Sequence, residues 1–338
     1  MANIQKYFEK FHDNIRLSDK DEKAKLQDKR DLLIKDLKDG LKKNAENNDE
    51  EQLKFENFNQ GSYAMYTGIK PYNEDYDIDV GVIFDNTEDD FNNPVELKKK
   101  VRNALNSNFR TVKIRRPCVT VVYHKSGEPE YHVDLAIYIK DDFDDNCLYL
   151  AIGKENSDEN NQEWSEQDPK GLIYKINNAY SGDDRKQFKR IIRYLKKWKD
   201  KNFTNGGAPI SIALTCAAYH WFKPHKEIMG DYNDLRSLIN LVKNMLDEFD
   251  FITDRLEIYL PVAPGNDLLD KLTDNQMDVF QEKLQSLLAA LNKAKDETSK
   301  LEACKILQKQ FGDVFPLPEQ DEVKQSSTPP VVTTGTSA

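Results

Sequence analysis

Residues 59–84, NQGSYAMYTGIKPYNEDYDIDVGVIF, decide the fold. The stretch reads as the end of a strand, a Gly61-Ser62 turn, a short helix over 63–67, a loop around Pro71, and a strand carrying Asp77 and Asp79. Residues two apart on a strand share a face, so both carboxylates point one way while Ile78, Val80 and Val82 turn into a core. Adjacent like charges repel, and a fold tolerates them best with a cation between them.

An Asp-x-Asp triplet also arises by chance in an acidic chain, and Gly-Ser alone is an ordinary helix cap. Their combination is the specific feature. A helix start preceded by glycine offers unpaired amides and a partial positive charge, which together form an anion site. An anion site beside a metal site is what a nucleoside triphosphate with magnesium requires.

Gln60-Gly61-Ser62 followed by Asp77-Ile78-Asp79 resembles the signature of the polymerase-β-type nucleotidyltransferases. The longer strings QGSYAMYTGIKP and YDIDVGV are most similar to the bacterial cGAS/DncV-like nucleotidyltransferases (CD-NTases). Those enzymes join nucleoside triphosphates into cyclic oligonucleotide messengers in CBASS anti-phage defence. The resemblance implies an α+β, bilobal fold: a mixed sheet with catalytic carboxylates in the N-terminal lobe, and a helical C-terminal lobe that completes the nucleotide site. The expected division is a catalytic lobe over 1–165, a helical lobe over 166–316 and a disordered tail over 317–338.

Downstream, YHVDLAIYIK (131–140) alternates as a strand, with Val133, Leu135, Ile137 and Ile139 on one face and Asp134 on the other. Asp134 reads either as a solvent-facing edge residue or, if this strand lies beside the one bearing Asp77 and Asp79, as the third carboxylate of a cluster. The resemblance implies the cluster. Asp77, Asp79 and Asp134 would hold two Mg2+ ions, with Mn2+ as a substitute, and Asp134 could accept the ribose proton. Gln60, Gly61 and Ser62 would bind the phosphates. Lys196, in RYLKKW, and Ser211 are similar to the lysine and serine that grip the triphosphate from the second lobe. Without the resemblance Lys196 reads equally well as one surface lysine among many, Ser211 can be a buried residue bonded to its own backbone, and Lys197 is a rival one register away.

The rest of the chain is largely helical in pattern. Leu26, Leu33, Ile34, Leu37 and Leu41 recur at helical spacing over 20–46, and helices are expected over 94–107, 185–201, 210–222, 235–249 and, broken, 274–311. Residues 111–124 are rich in β-branched side chains and predict a strand or strand pair. The Asp- and Asn-rich segment 141–168 reads as a long loop between lobes, with a helix start at Asp168-Pro169.

The net charge of −10 argues against an obligatory nucleic-acid partner, which favours a basic face. Four scattered cysteines without metal spacing fit a reducing cytoplasm, and no apolar run suits a membrane span. Nucleoside triphosphates, ATP among them, are the expected substrates. The Gly335-Thr336-Ser337-Ala338 end resembles tails joined to a target by an operon-encoded ubiquitin-ligase-like enzyme, against the alternative of an idle end. Competing functions are an RNA-terminal transferase of the poly(A) or CCA-adding kind and a catalytically silent nucleotide sensor.

Overall fold

The computed structural model describes residues 2–17, 20–70, 76–91, 93–107, 110–125, 128–141 and 147–319. The expected tail lies outside these from residue 320 onward, as does the loop around Pro71.

In chain order the elements are α1 (Gln5–Ile15), α2 (Lys20–Asn48), β1 (Phe55–Asn59), α3 (Gly61–Ala64), β2 (Tyr76–Phe84), α4 (Pro94–Leu105), β3 (Arg110–Ile114), β4 (Val119–Lys125) and β5 (Glu128–Lys140). They continue with β6 (Leu148–Ile152), β7 (Glu163–Gln167), α5 (Pro169–Asn178), α6 (Gly182–Asn202), α7 (Ser211–Trp221), α8 (Asp234–Asp247), α9 (Asp274–Asp296) and α10 (Lys300–Phe311). The strands form one mixed sheet in the order β1-β2-β5-β4-β3, with β6 added on β5 and β7 on β6. Only β2 and β5 run parallel among the pairs described.

The alternation in β2 and β5 does what its pattern requires. Ile78, Val80 and Val82, with Val133, Leu135, Ile137 and Ile139, bury against Leu33, Leu37 and Leu41 of α2 and Leu97, Val101 and Leu105 of α4. Asn93 fixes the start of α4 by accepting a hydrogen bond from the Glu96 amide at 3.1 Å, with Pro94 at the first helical position. Behind the sheet, Ile83, Tyr138, Leu148, Leu150 and Ile152 form a small second cluster.

Two features depart from the sequence reading. The loop expected over 141–168 contains β6 and β7. LYLAI is too short for its alternation to stand out among acidic neighbours, and EWSEQ is a polar ribbon that gains its order from pairing with β6. The first residues, expected to belong to the catalytic lobe over 1–165, form α1, whose Tyr7, Phe8, Phe11 and Ile15 are buried together with Ile4 at its cap. That stripe enters the core of the helical half, where Phe11 stacks on Tyr194 with ring centroids 5.1 Å apart. The helical half otherwise matches its periodicity: Phe188, Ile191, Ile192, Leu195 and Trp198 of α6 are all fully buried. No helix of the described residues is long and apolar enough to cross a membrane.

Candidate active site

The parallel register of β2 and β5 sets Asp79 directly beside Asp134. Residues opposed in a parallel pair point to the same face, so both carboxylates stand on the side away from Val80 and Leu135. Asp77 occupies the strand position opposite His132, two residues before Asp79; its side chain lies outside the described residues. Among described side chains the cluster is therefore a pair. Asp134 Oδ1 is buried and has no hydrogen-bond partner. Close by, burial pushes the Cys118 thiol up to about 12, and the Asp134 charge pushes in the same direction, so Cys118 is a neutral thiol at physiological pH.

The Gly-Ser turn sits on Asp79. The Gln60 amide donates to the Asp79 carbonyl at 3.0 Å, and the Gln60 side-chain amide donates to the Tyr138 hydroxyl at 2.9 Å. Gly61 has φ +62°, and a Cβ there would lie 1.9 Å from Asp79 Oδ2. Only glycine allows the backbone this close to the carboxylate. The single turn of α3 follows, closed by Met65 N to Gly61 O at 3.2 Å and Thr67 N to Ser62 O at 2.9 Å. Its first amides, including that of Ser62, have no acceptor within the helix.

The helical half brings cations to this turn. Lys196 is 4% exposed and donates to Thr67 O at 3.3 Å and Thr67 Oγ1 at 3.1 Å. Burial lowers it to about 7, the charges of Arg193 and Lys199 push further down, and Asp79 pulls back up. Lys196 lies within electrostatic reach of Asp79, and Lys197 donates to the Lys70 carbonyl at 3.4 Å. Ser211, at the start of α7, accepts a hydrogen bond from Lys199 Nζ at 2.6 Å. Sequence reasoning missed Lys199. The available signal was its place one turn beyond Lys196 on an amphipathic helix, shared by many other surface lysines.

A divalent cation fits this arrangement on a structural ground. A buried carboxylate oxygen without a donor is costly, and a second carboxylate beside it raises the cost; a hard cation satisfies both.

A mixed sheet presenting carboxylates from parallel strands, a Gly-Ser turn over one of them, and a helical half supplying cations together define a bilobal polymerase-β-type nucleotidyltransferase fold. Residues 55–138 match the family model "Cyclic GMP-AMP synthase DncV-like, nucleotidyltransferase domain", and residues 185–320 match "Cyclic GMP-AMP synthase, C-terminal domain". The chain belongs to the bacterial cGAS/DncV-like nucleotidyltransferases. Enzymes of this family are metal-dependent.

A curated relative, the cyclic GMP-AMP synthase of Escherichia albertii, is 31% identical over 178 residues, covering 49% of this chain and 37% of that protein. The matched region thus spans little more than a third of that relative's length. Among solved structures, the DncV cyclic AMP-GMP synthase of Vibrio cholerae superposes with a TM-score of 0.73 at 18% identity, covering 94% of this chain and 98% of its own. The CD-NTase CdnG of Bradyrhizobium diazoefficiens, in complex with GTP, gives 0.71 at 14% identity, covering 93% and 97%.

Proposed function

We propose that the protein joins nucleoside triphosphates into a cyclic oligonucleotide, releasing pyrophosphate with each bond, and that it does so in the cytoplasm as part of anti-phage defence. One observation supports this above the others: Asp79 and Asp134 stand side by side under a glycine that could be no other residue, with an oxygen of Asp134 unpartnered. Adenine and guanine nucleotides are the proposed substrates, since the relatives include cyclic GMP-AMP synthases and a DncV structure holding the linear intermediate pppA(3′,5′)pG.

Asp77, Asp79 and Asp134 would hold two Mg2+ ions. When bound, such ions acidify the attacking ribose hydroxyl and neutralise charge on the triphosphate and departing pyrophosphate. Asp134 would also accept the hydroxyl proton, a role in keeping with an Oδ1 that no donor occupies. The Gly61 backbone and the Ser62 amide and hydroxyl bind phosphate oxygens, and Gln60, held by Tyr138, sets the turn's entry. Lys196, Lys199 and Ser211 grip the triphosphate tail from the helical lobe. The lobes divide near residue 165, with α1 lent to the helical one.

Incubation with all four nucleoside triphosphates and Mg2+ tests the proposal. The expected result is a phosphatase-resistant product with release of pyrophosphate. Purely linear products, or extension of an added RNA instead, would replace it with the terminal-transferase reading.

A further inference from the structure

The turn that follows the Gly-Ser motif is held almost entirely from the other lobe. Five consecutive backbone carbonyls accept hydrogen bonds from helical-lobe side chains. Asn177 Nδ2 reaches Ala64 O at 3.0 Å, Lys189 Nζ reaches Met65 O at 2.7 Å, and Arg193 Nη2 reaches Tyr66 O. Lys196 Nζ reaches Thr67 O at 3.3 Å, and Arg193 Nε reaches Gly68 O at 3.2 Å. Lys189, Arg193 and Lys196 are spaced four and three apart, so they form one face of α6. Among the described residues, none of the three forms a salt bridge with a carboxylate; their acceptors are carbonyls, amide oxygen, a hydroxyl and the His12 ring.

A single helical turn of four residues cannot hold its own geometry in water. Its direction is set at the front by the contact of Gly61 with Asp79 and at the back by these donors. Peptide units are rigid planes, so holding the Ala64 and Tyr66 carbonyls fixes the amides of Met65 and Thr67; these donate to Gly61 O at 3.2 Å and Ser62 O at 2.9 Å, whose planes carry the Ser62 and Tyr63 amides. Burying cations against carbonyls alone is unfavourable, as the lowering of Lys189 to about 7 by burial and by Arg193 reflects. A lobe staple would be served better by ordinary ion pairs.

We infer that Arg193 and Lys189, assisted by Asn177, are positioning residues that aim the Ser62 and Tyr63 amides at the substrate phosphates from behind the turn. The inference rests on the nucleotidyltransferase reading proposed above. The same helix carries Lys196 and Lys199, so the grip on the triphosphate and the aim of the turn belong to one rigid element.

The test compares Arg193→Met, Arg193→Lys and Asn177→Ala with wild type below the onset of unfolding, by steady-state pyrophosphate release with Mg-ATP and Mg-GTP. Lys170→Met serves as a control, because Lys170 bridges to Glu56 at 3.3 Å without touching the turn. For Arg193→Met we expect kcat to fall about 10- to 100-fold, from a displacement of the order of 1 Å, with KM changing less. Arg193→Lys should recover part of that loss, since one ammonium can serve one of the two carbonyls, and Asn177→Ala should show a smaller loss of kcat. Lys170→Met should leave kcat unaltered whatever its melting temperature. If Arg193→Met and Asn177→Ala lower the melting temperature while kcat and KM stay within about threefold, the contacts only staple the lobes and the inference is wrong. Should Arg193→Met fail to fold, the comparison of Arg193→Lys and Asn177→Ala with wild type decides on the same criterion. Failure of wild type itself to bind Mg-ATP or Mg-GTP would overturn the underlying function instead, and calorimetry on wild type reports that separately.

Discussion

Replacing Gly61 by alanine tests the centre of the site with one methyl group. The new Cβ would lie 1.9 Å from Asp79 Oδ2, 2.6 Å from its Cγ and 2.9 Å from its Cβ. Ordinary contact begins near 3.4 Å, so the carboxylate oxygen would have to retreat by about 1.5 Å. Rotating the side chain does not clear the clash, because the Asp79 Cβ is itself too close; the turn must lift or β2 must shift. A displacement of that size at a reacting centre costs roughly 10²- to 10³-fold in kcat/KM, or about 3–4 kcal/mol of transition-state stabilisation. The φ of +62° adds a left-handed strain of about 1–2 kcal/mol to folding. Gly182 is the matched control: its φ is +54°, and a Cβ there meets nothing within 4 Å. Gly182→Ala should therefore lose similar stability and keep its activity. Pyrophosphate release with Mg2+ and a mixture of ATP and GTP reads activity, and urea unfolding reads stability. The reasoning fails if Gly61→Ala retains kcat/KM within about threefold of wild type, or if both variants lose activity equally.

Asp134→Asn should abolish turnover while changing the stability of the metal-free protein by less than about 1 kcal/mol, because the amide keeps the shape of the carboxylate at a half-buried position. Thermal melts should show Mg2+ stabilising wild type more than the variant, which keeps Asp77 and Asp79; equal stabilisation would place the ion away from Asp134. Binding of a triphosphate against Lys196, lowered to about 7, should return its pKa toward the ordinary lysine range. At about pH 8 this means uptake of up to roughly one proton per nucleotide, and affinity that declines as pH rises from about 7 to 10. Calorimetry in buffers of different ionisation enthalpy measures the uptake, and its absence would remove Lys196 from the phosphate site. Phe11→Ala should cost about 3–5 kcal/mol in urea unfolding, since the ring is fully buried against Tyr194, Phe311 and Phe315. A loss under about 1 kcal/mol would show that α1 does not belong to the helical core.

What the sequence determined by itself was local. Alternation in DIDVGV and VDLAIYI fixed which side chains face the core, and period-3.6 stripes fixed the helices of the second half, because both follow from the geometry of one segment. The Gly-Ser turn was legible for the same reason. Tertiary structure decided what depends on distant partners: that β5 pairs with β2 in the register setting Asp134 beside Asp79, that the N-terminal α1 packs among C-terminal helices, and that β6 and β7 extend the sheet. It also decided which of many lysines on α6 reach Ser211 and the turn behind the Gly-Ser motif. Pairing across long stretches of chain is selected by shared burial and hydrogen bonding in the folded whole, and no window of neighbouring residues records it.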